Sequence, residues 1–431
     1  MTTESAVAPP SGYWPRRWLL VSGCFLAIFV CYVDRVNISF AILPMSAQYG
    51  WPKTTQGWVL SSFFIGYLAT QLLAGWLAAR IGGRALLAFG VLWWSAFTLV
   101  TPLAAELSFA ALIAARIGMG LGEGVAFPAI YQLFGRWIPL RERARAAALN
   151  GSGIPLGTLA ATLATPWLVE AHGWPSVFYV FGVLGAIWYA YWHFASSERP
   201  EDARGIHPSE LALIRANTAT PVASPRVPWA RILRSSAVWA LIFNHFCSNW
   251  GFYVILSWLP RYFADAHGLN LVGAGYASLL PWLVMFALTN VGAQLADGLL
   301  ARGRSVVFVR KLMQSVGFLG SAAALLAIGQ VHTVPLAVAL MCVALGVGSF
   351  ALSGFASNHL DIAPRYAGAL MGLSNTAGTL PGVIGVAVTG YILDATGSWA
   401  LVFGIAAALY VAGTLVWLAF AKGEDLFGDP A

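Results

Sequence analysis

Charge is what this sequence has least of. Only 10% of its 431 residues are Asp, Glu, Lys or Arg, against about 25% in a soluble domain. Hydrophobic types make up 59% and the mean hydropathy is +0.73, so a soluble globular fold is excluded in favour of a chain that crosses a membrane many times. Lysine is scarcer still, with three residues, Lys53, Lys311 and Lys422. The four cysteines, Cys24, Cys31, Cys247 and Cys342, all fall inside apolar stretches. They form neither a disulfide framework nor a zinc spacing. A phosphate loop with its lysine, a G-x-S-x-G elbow and an H-E-x-x-H pair are all missing, and no enzymatic function, metal or cofactor is expected. The first apolar run is too long for a cleavable signal peptide and contains Asp34-Arg35. The net charge of +7 is spread over short loops, where it acts as a determinant of topology and not as a nucleic-acid surface.

What is abundant is apolar runs of membrane-crossing length. Twelve are expected, near Trp18–Leu43, Trp58–Ala79, Ala85–Ala105, Leu107–Phe134, Ala146–Val169, Trp174–Phe194, Ala237–Pro260, Gly273–Ala296, Leu312–Val331, Val334–Leu360, Ala367–Leu393 and Trp399–Phe420. The expected organisation is a tail over 1–16, a six-helix bundle over 17–195, a polar linker over 196–236, a second six-helix bundle over 237–420 and a tail over 421–431. Of the 24 lysines and arginines, Arg35 and Arg116 lie within spans, only Lys53 and Arg261 fall on one side, and the remaining 20 fall on the side of both termini. By the positive-inside rule that side is cytoplasmic. Pro139, Asn150 and Gly157 recur as Pro364, Asn375 and Gly382, each 225 residues later. Two related six-helix halves with a binding site near the membrane midplane are one known transporter architecture.

The stretch from Ala115 to Pro128 is the most unusual. It carries Arg116 and Glu123 inside an apolar run, with glycines at 118, 120, 122 and 124. A charge at the centre of a span costs about 3 kcal/mol on the insertion scale, so these two must face protein or water. Glycines at that spacing admit a neighbouring helix. Asp34 and Arg35 in the first span complete a set of two acids and two bases with zero formal sum. An anionic substrate needs surplus positive charge, which protonation of Asp34 or Glu123 supplies. Glu123 is expected to lack a close arginine, because Arg116 lies two turns away, whereas Asp34 has Arg35 beside it. Tyr67 and Gln71 are candidates to line the cavity. The second half shows no deep charge, only neutral groups such as Asn249, Trp250, Tyr253, Ser353, Asn358 and Asn375. His245 and His359 stand near span ends without a partner at metal spacing.

Gly75-Trp76-Leu77-Ala78-Ala79-Arg80-Ile81-Gly82-Gly83-Arg84 resembles the cytoplasmic loop signature of the major facilitator superfamily, with Ala79 in place of the usual acid. Asp297, near Arg302 and Arg304, looks like its repeat. The segments Tyr32–Asn37, Gly57–Tyr67, Gly122–Pro128, Asn249–Tyr253 and Ser357–Pro364 resemble, more narrowly, the anion:cation symporter branch, which includes solute carrier family 17 and the bacterial galactonate and hexuronate permeases. The resemblance implies an all-α membrane fold of twelve transmembrane helices in two pseudo-symmetric six-helix bundles. It implies substrate contacts at Arg35, Tyr67, Arg116, Ser353 and Asn375, proton coupling at Asp34 and Glu123, and a cytoplasmic gate at Gly75, Arg80, Arg84 and Asp297. Met119, Leu60 and Ser248 depart from the sialin-type and vesicular glutamate members and argue against glutamate.

The expectation is therefore a secondary active transporter that couples H+ to a small organic anion, a sugar acid or similar monocarboxylate, by alternating access. It is expected to work as a monomer in the lipid bilayer, in a bacterial inner membrane, with no nucleic-acid partner. A sodium-coupled phosphate carrier, an electrogenic uniporter and a non-transporting sensor remain alternatives.

Overall fold

In a computed structural model, which describes residues 13–217 and 227–428, helices appear where the twelve apolar runs are. They are α1 (Arg16–Tyr49), α2 (Lys53–Ile81), α3 (Gly83–Leu107), α4 (Phe109–Trp137), α5 (Gly153–His172), α6 (Pro175–Ala195), α7 (Ser236–His267), α8 (Leu271–Ala301), α9 (Val306–Ile328), α10 (Val334–Ile362), α11 (Ala367–Thr396) and α12 (Trp399–Phe420). Among the described residues, nine of the helices are both long and apolar enough to cross a membrane, or ten if the bent α2 counts as one span. The remaining two, α5 and α7, are rich in Thr, Ser, Asn, Gly and Pro, which lowers their hydropathy without shortening them. Parts of the expected tails and linker lie outside the described residues.

Local chemistry sets the ends of these helices. Ser108, Asn270, Ser305 and Ser398 each accept a hydrogen bond from a backbone N–H in the first turn that follows, which satisfies donors the helix itself leaves open. Gly268 and Gly397 end α7 and α11 in the left-handed conformation. Distant carboxylates serve three other helix starts. Glu210 accepts from the backbone N–H groups of Arg16 and Arg17, Glu198 from those of Gly83 and Arg84, and Asp394 from those of Lys53 and Thr54. A negative group at each of these positive helix ends is favourable.

Packing divides the chain into two units. The first comprises Met1–Arg35, Ile65–Ala161 and Pro175–Ser224, the second Val36–Phe64, Thr162–Trp174 and Pro225–Ala431. In the first unit, α2 and α4 approach so closely that a Cβ added to Gly66 would sit 2.0 Å from the carbonyl oxygen of Ile117. Gly124, where α4 breaks between Glu123 and Ala126, is also close, its added Cβ 2.9 Å from the carbonyl oxygen of Tyr67. This approach brings Tyr67 and Glu123 into one interior. In the second unit, α7 packs along α11, and α9 along α10 and α12.

Candidate functional site

α1 carries Cys31, Tyr32, Asp34 and Arg35 into the first unit, α2 supplies Tyr67, and α4 supplies Arg116, Met119 and Glu123. All of these are buried, Arg35 at 6% and Glu123 at 1% exposure. Nε and Nη2 of Arg35 both donate to one oxygen of Glu123, Oε2, at 3.1 and 2.7 Å. The thiol of Cys31 donates to the same oxygen at 3.0 Å. The other carboxylate oxygen, Oε1, has no partner. The guanidinium lies over the rings of Tyr32 and Tyr67, 4.7 and 4.9 Å from their centroids. Charge-assisted bonds and the aromatic faces together compensate for removing the arginine from water.

Asp34 is fully buried, and neither of its oxygens has a hydrogen-bond partner among the described residues. The indole Nε1 of Trp94 on α3, itself without a partner, is the donor turned towards it. Arg116 is 1% exposed, and its Nη1 donates to Sδ of Met119 at 3.0 Å. Glu123 therefore does have a close arginine, supplied by α1 and not by its own helix, while Asp34 interacts electrostatically with Arg116. Adjacent helical residues point about 100° apart, and that step turns Arg35 to the end of α4 while Asp34 faces α3.

Ser353 belongs to the second unit, in a π-helical turn over Leu352–Ala356 within α10. Its carbonyl accepts from Nη1 of Arg310 at 2.9 Å. Asn375, half-buried on α11, gives its carbonyl to the hydroxyl of Thr379. In the loop motif, the guanidinium of Arg80 lies over the Trp76 ring, and Nε of Arg84 donates to the Ser196 carbonyl at 3.0 Å. Gly75 has open space around it and Asp297 is exposed on α8. Glu198, which caps α3 and pairs with Arg136, brings a carboxylate to this loop from over a hundred residues away.

The second unit holds charge that sequence reasoning placed elsewhere. Arg310 belongs to the first turns of α9, not to a loop, and Nε and Nη2 reach the two oxygens of Asp361 at 2.7 and 3.2 Å. The pair joins the first turns of α9 to the last turn of α10, so it sits at span ends and not deep within them. The adjacent Arg310-Lys311 pair gave the look of a loop end. Lys53 and Arg261, read only as sparse cations of the non-cytoplasmic side, both pair with Asp265. Nη1 of Arg261 also donates to the hydroxyl of Ser46 at 3.3 Å.

The family model described as Major Facilitator Superfamily matches residues 24–386. The chain belongs to the Major Facilitator Superfamily. Within that superfamily it is 47% identical over 426 residues to an ascorbate transporter, chloroplastic, of Arabidopsis thaliana, covering 98% of this chain and 79% of the relative. It is 46% identical over 423 residues to a sodium-dependent phosphate transport protein 1, chloroplastic, of the same plant, covering 98% and 82%. It is also 46% identical to a probable anion transporter 4, chloroplastic, of Oryza sativa subsp. japonica, covering 97% and 71%. Solved structures of superfamily transporters share the fold. A bacterial homologue of the human lysosomal transporter Spinster superposes with a TM-score of 0.75 at 15% identity, covering 95% of this chain and 97% of that one. A D-xylose–proton symporter superposes with 0.75 at 16%, covering 94% and 98%. The all-α superfamily fold and a multi-pass integral membrane transporter are therefore shown. The bacterial inner membrane expected from the sequence is overturned, because these relatives at 46–47% identity are chloroplastic plant proteins.

Proposed function

We propose that this superfamily member is a proton-coupled symporter of an organic anion, with Arg35 as the anion's anchor and Glu123 as the group that hands Arg35 over. The observation that carries this reading is the Arg35–Glu123 pair, in which the guanidinium and a thiol crowd onto a single carboxylate oxygen. While Glu123 is ionised it occupies the one fork able to grip a substrate carboxylate in two places. A proton on Glu123 cancels that competition and leaves the guanidinium for the substrate. Asp34, Arg35, Arg116 and Glu123 sum to zero formal charge, and one anion with one proton keeps the sum at zero. The loaded carrier thus avoids the cost of moving a net charge through hydrocarbon. Asp34, whose oxygens are buried without a hydrogen bond, is the alternative carrier of that one proton, and Asp34→Asn in pH-driven uptake and exchange assays distinguishes the two. Tyr67 holds the guanidinium plane that the substrate meets. The ascorbate relative supports an acidic, hydroxyl-rich substrate.

A sodium-driven phosphate carrier is the second reading, favoured by the sodium-dependent phosphate relative. Arginine forks suit phosphate as well as carboxylate. Purified protein in liposomes separates the two. Inward gradients of protons and of sodium are imposed in turn, with labelled ascorbate, glucuronate, galactonate and phosphate outside. Accumulation of a sugar acid or ascorbate under a proton gradient alone is expected. Accumulation of phosphate under sodium alone would replace this reading with the second.

A further inference from the structure

We infer that His245, Ser374 and His359 form a proton-binding site in the second unit. The three come from α7, α11 and α10 and all are buried. Both imidazoles meet the same hydroxyl: Nε2 of His359 lies 2.7 Å and Nδ1 of His245 3.2 Å from Oγ of Ser374. Nδ1 of His359 lies 2.9 Å from the carbonyl oxygen of Ala356, and the carbonyl of Met371 lies 3.2 Å from Oγ of Ser374. A carbonyl only accepts, so Nδ1 of His359 carries a hydrogen.

The rest follows by counting donors and acceptors. With His359 neutral, its Nε2 accepts from the Ser374 hydroxyl, and Oγ accepts from Nδ1–H of His245. With one further proton, Nε2 of His359 becomes a donor to Oγ. The hydroxyl hydrogen then turns to the Met371 carbonyl, and Oγ keeps its bond from His245. The Ser374 hydroxyl and both nitrogens of His359 are satisfied both before and after the proton arrives. Buried polar groups satisfied in only one protonation state hold to that state, whereas this set accommodates two. Histidine is the side chain suited to such exchange in the physiological range.

The surroundings of the imidazoles are apolar and closely packed. Phe355 packs on His245 with ring centroids 5.1 Å apart, and the two imidazole centroids are 6.4 Å apart. Gly378 on α11 closes against His245, where an added Cβ would lie 2.6 Å from the ring. Among the described residues no carboxylate or arginine bonds to either imidazole from α7, α10 or α11. Asp361, the acid two residues beyond His359, is held by Arg310. The carbonyl that orients His359 belongs to Ala356, the last residue of the π-helical turn containing Ser353. Occupancy of the proton site therefore bears on that turn. The inference goes beyond the coupling assigned to Glu123 and stands without it.

The test uses the full-length protein in lipid nanodiscs with nitrogen-15 in its seven histidines, read by the imidazole nitrogen resonances. His245→Gln and His359→Gln assign the signals. At high pH, Nδ1 of His359 is expected to be protonated and Nε2 not, and Nε2 takes up a proton as the pH is lowered from about 8 to about 4. Ser374→Ala removes the shared hydroxyl and is expected to move the midpoint by about one pH unit, tenfold in proton affinity, with the fold checked by thermal melting. Glu123→Gln is expected to leave the midpoint in place. A His359 signal constant across that range, or a midpoint untouched by Ser374→Ala, would overturn the inference. Because the wild-type titration needs no transported substrate, it stays distinguishable from failure of the symport reading.

Discussion

The two units differ in the kind of polar group they bury most deeply. The first gathers four ionisable side chains, Asp34, Arg35, Arg116 and Glu123, on α1 and α4, and leaves several of their atoms without partners, among them both oxygens of Asp34 and Oε1 of Glu123. The second gathers neutral groups into closed chains. Nε2 of Gln314 donates to Oδ1 of Asn244 at 2.8 Å, Nδ2 of Asn244 donates to the Ala240 carbonyl, and Oε1 of Gln314 accepts from the N–H of Phe355 in the π-helical turn. Its buried charge, Arg310 with Asp361, is a two-pronged fork with a third bond to a carbonyl. Unsatisfied buried charge is expensive and satisfied networks are rigid. The charged cluster of the first unit is the one on which the proposed ligand and proton exchange rests, and the second unit adds one proposed proton-binding node.

The strongest way to break this comparison is to remove one member of the exchanging cluster. Arg35→Ala strands Glu123 without its counter-charge, a loss of about 3–5 kcal/mol, and anion binding by calorimetry is expected to fall at least a hundredfold. Arg35→Lys keeps the charge but not the fork and should also lose most of the affinity. Glu123→Gln is expected to separate two activities. Accumulation driven by a pH gradient should vanish, while exchange of internal for external substrate persists, because Arg35 is permanently available. Retained pH-driven accumulation would make Glu123 structural.

Smaller effects sharpen the contrast. Gly66→Ala forces a Cβ onto the Ile117 backbone and should cost about 1–3 kcal/mol of stability, seen as a lowered melting temperature. Gln314→Leu in the second unit leaves the Phe355 N–H and Oδ1 of Asn244 unsatisfied, at about 1–3 kcal/mol. It should lower thermal stability without shifting the pH dependence of anion binding; a shift would show that the second unit also exchanges protons through this network. Cys31→Ser preserves a donor to Glu123 and should change stability by less than about 1 kcal/mol.

The helices were legible because their signal is compositional: long apolar runs, loop arginines and a deficit of charge. The candidate site was legible in its members, since Arg35, Arg116 and Glu123 stand out against apolar neighbours. Its pairing was not. Whether Arg35 or Asp34 meets Glu123 depends on the rotation of α1 against α4, which spacing along one helix does not encode. The His245–His359 node was invisible for the same reason: its members are over a hundred residues apart and neither has a short-range motif. Arg310 was misplaced because a basic pair at a helix start looks like a loop. Glu198 and Glu210 look like linker charges, yet each closes a helix end far away in sequence.

The central claim is that an arriving anion finds Arg35 only when Glu123 carries a proton. Infrared difference spectroscopy on the lipid-reconstituted protein, with the anion that the liposome panel selects, reads this directly through the C=O stretch of a protonated carboxyl group. Anion addition near neutral pH is expected to raise such a band in the wild type, to raise it still in Asp34→Asn, and to raise none in Glu123→Gln. A band that survives Glu123→Gln, or anion binding with no carboxyl signal at all, would contradict the account.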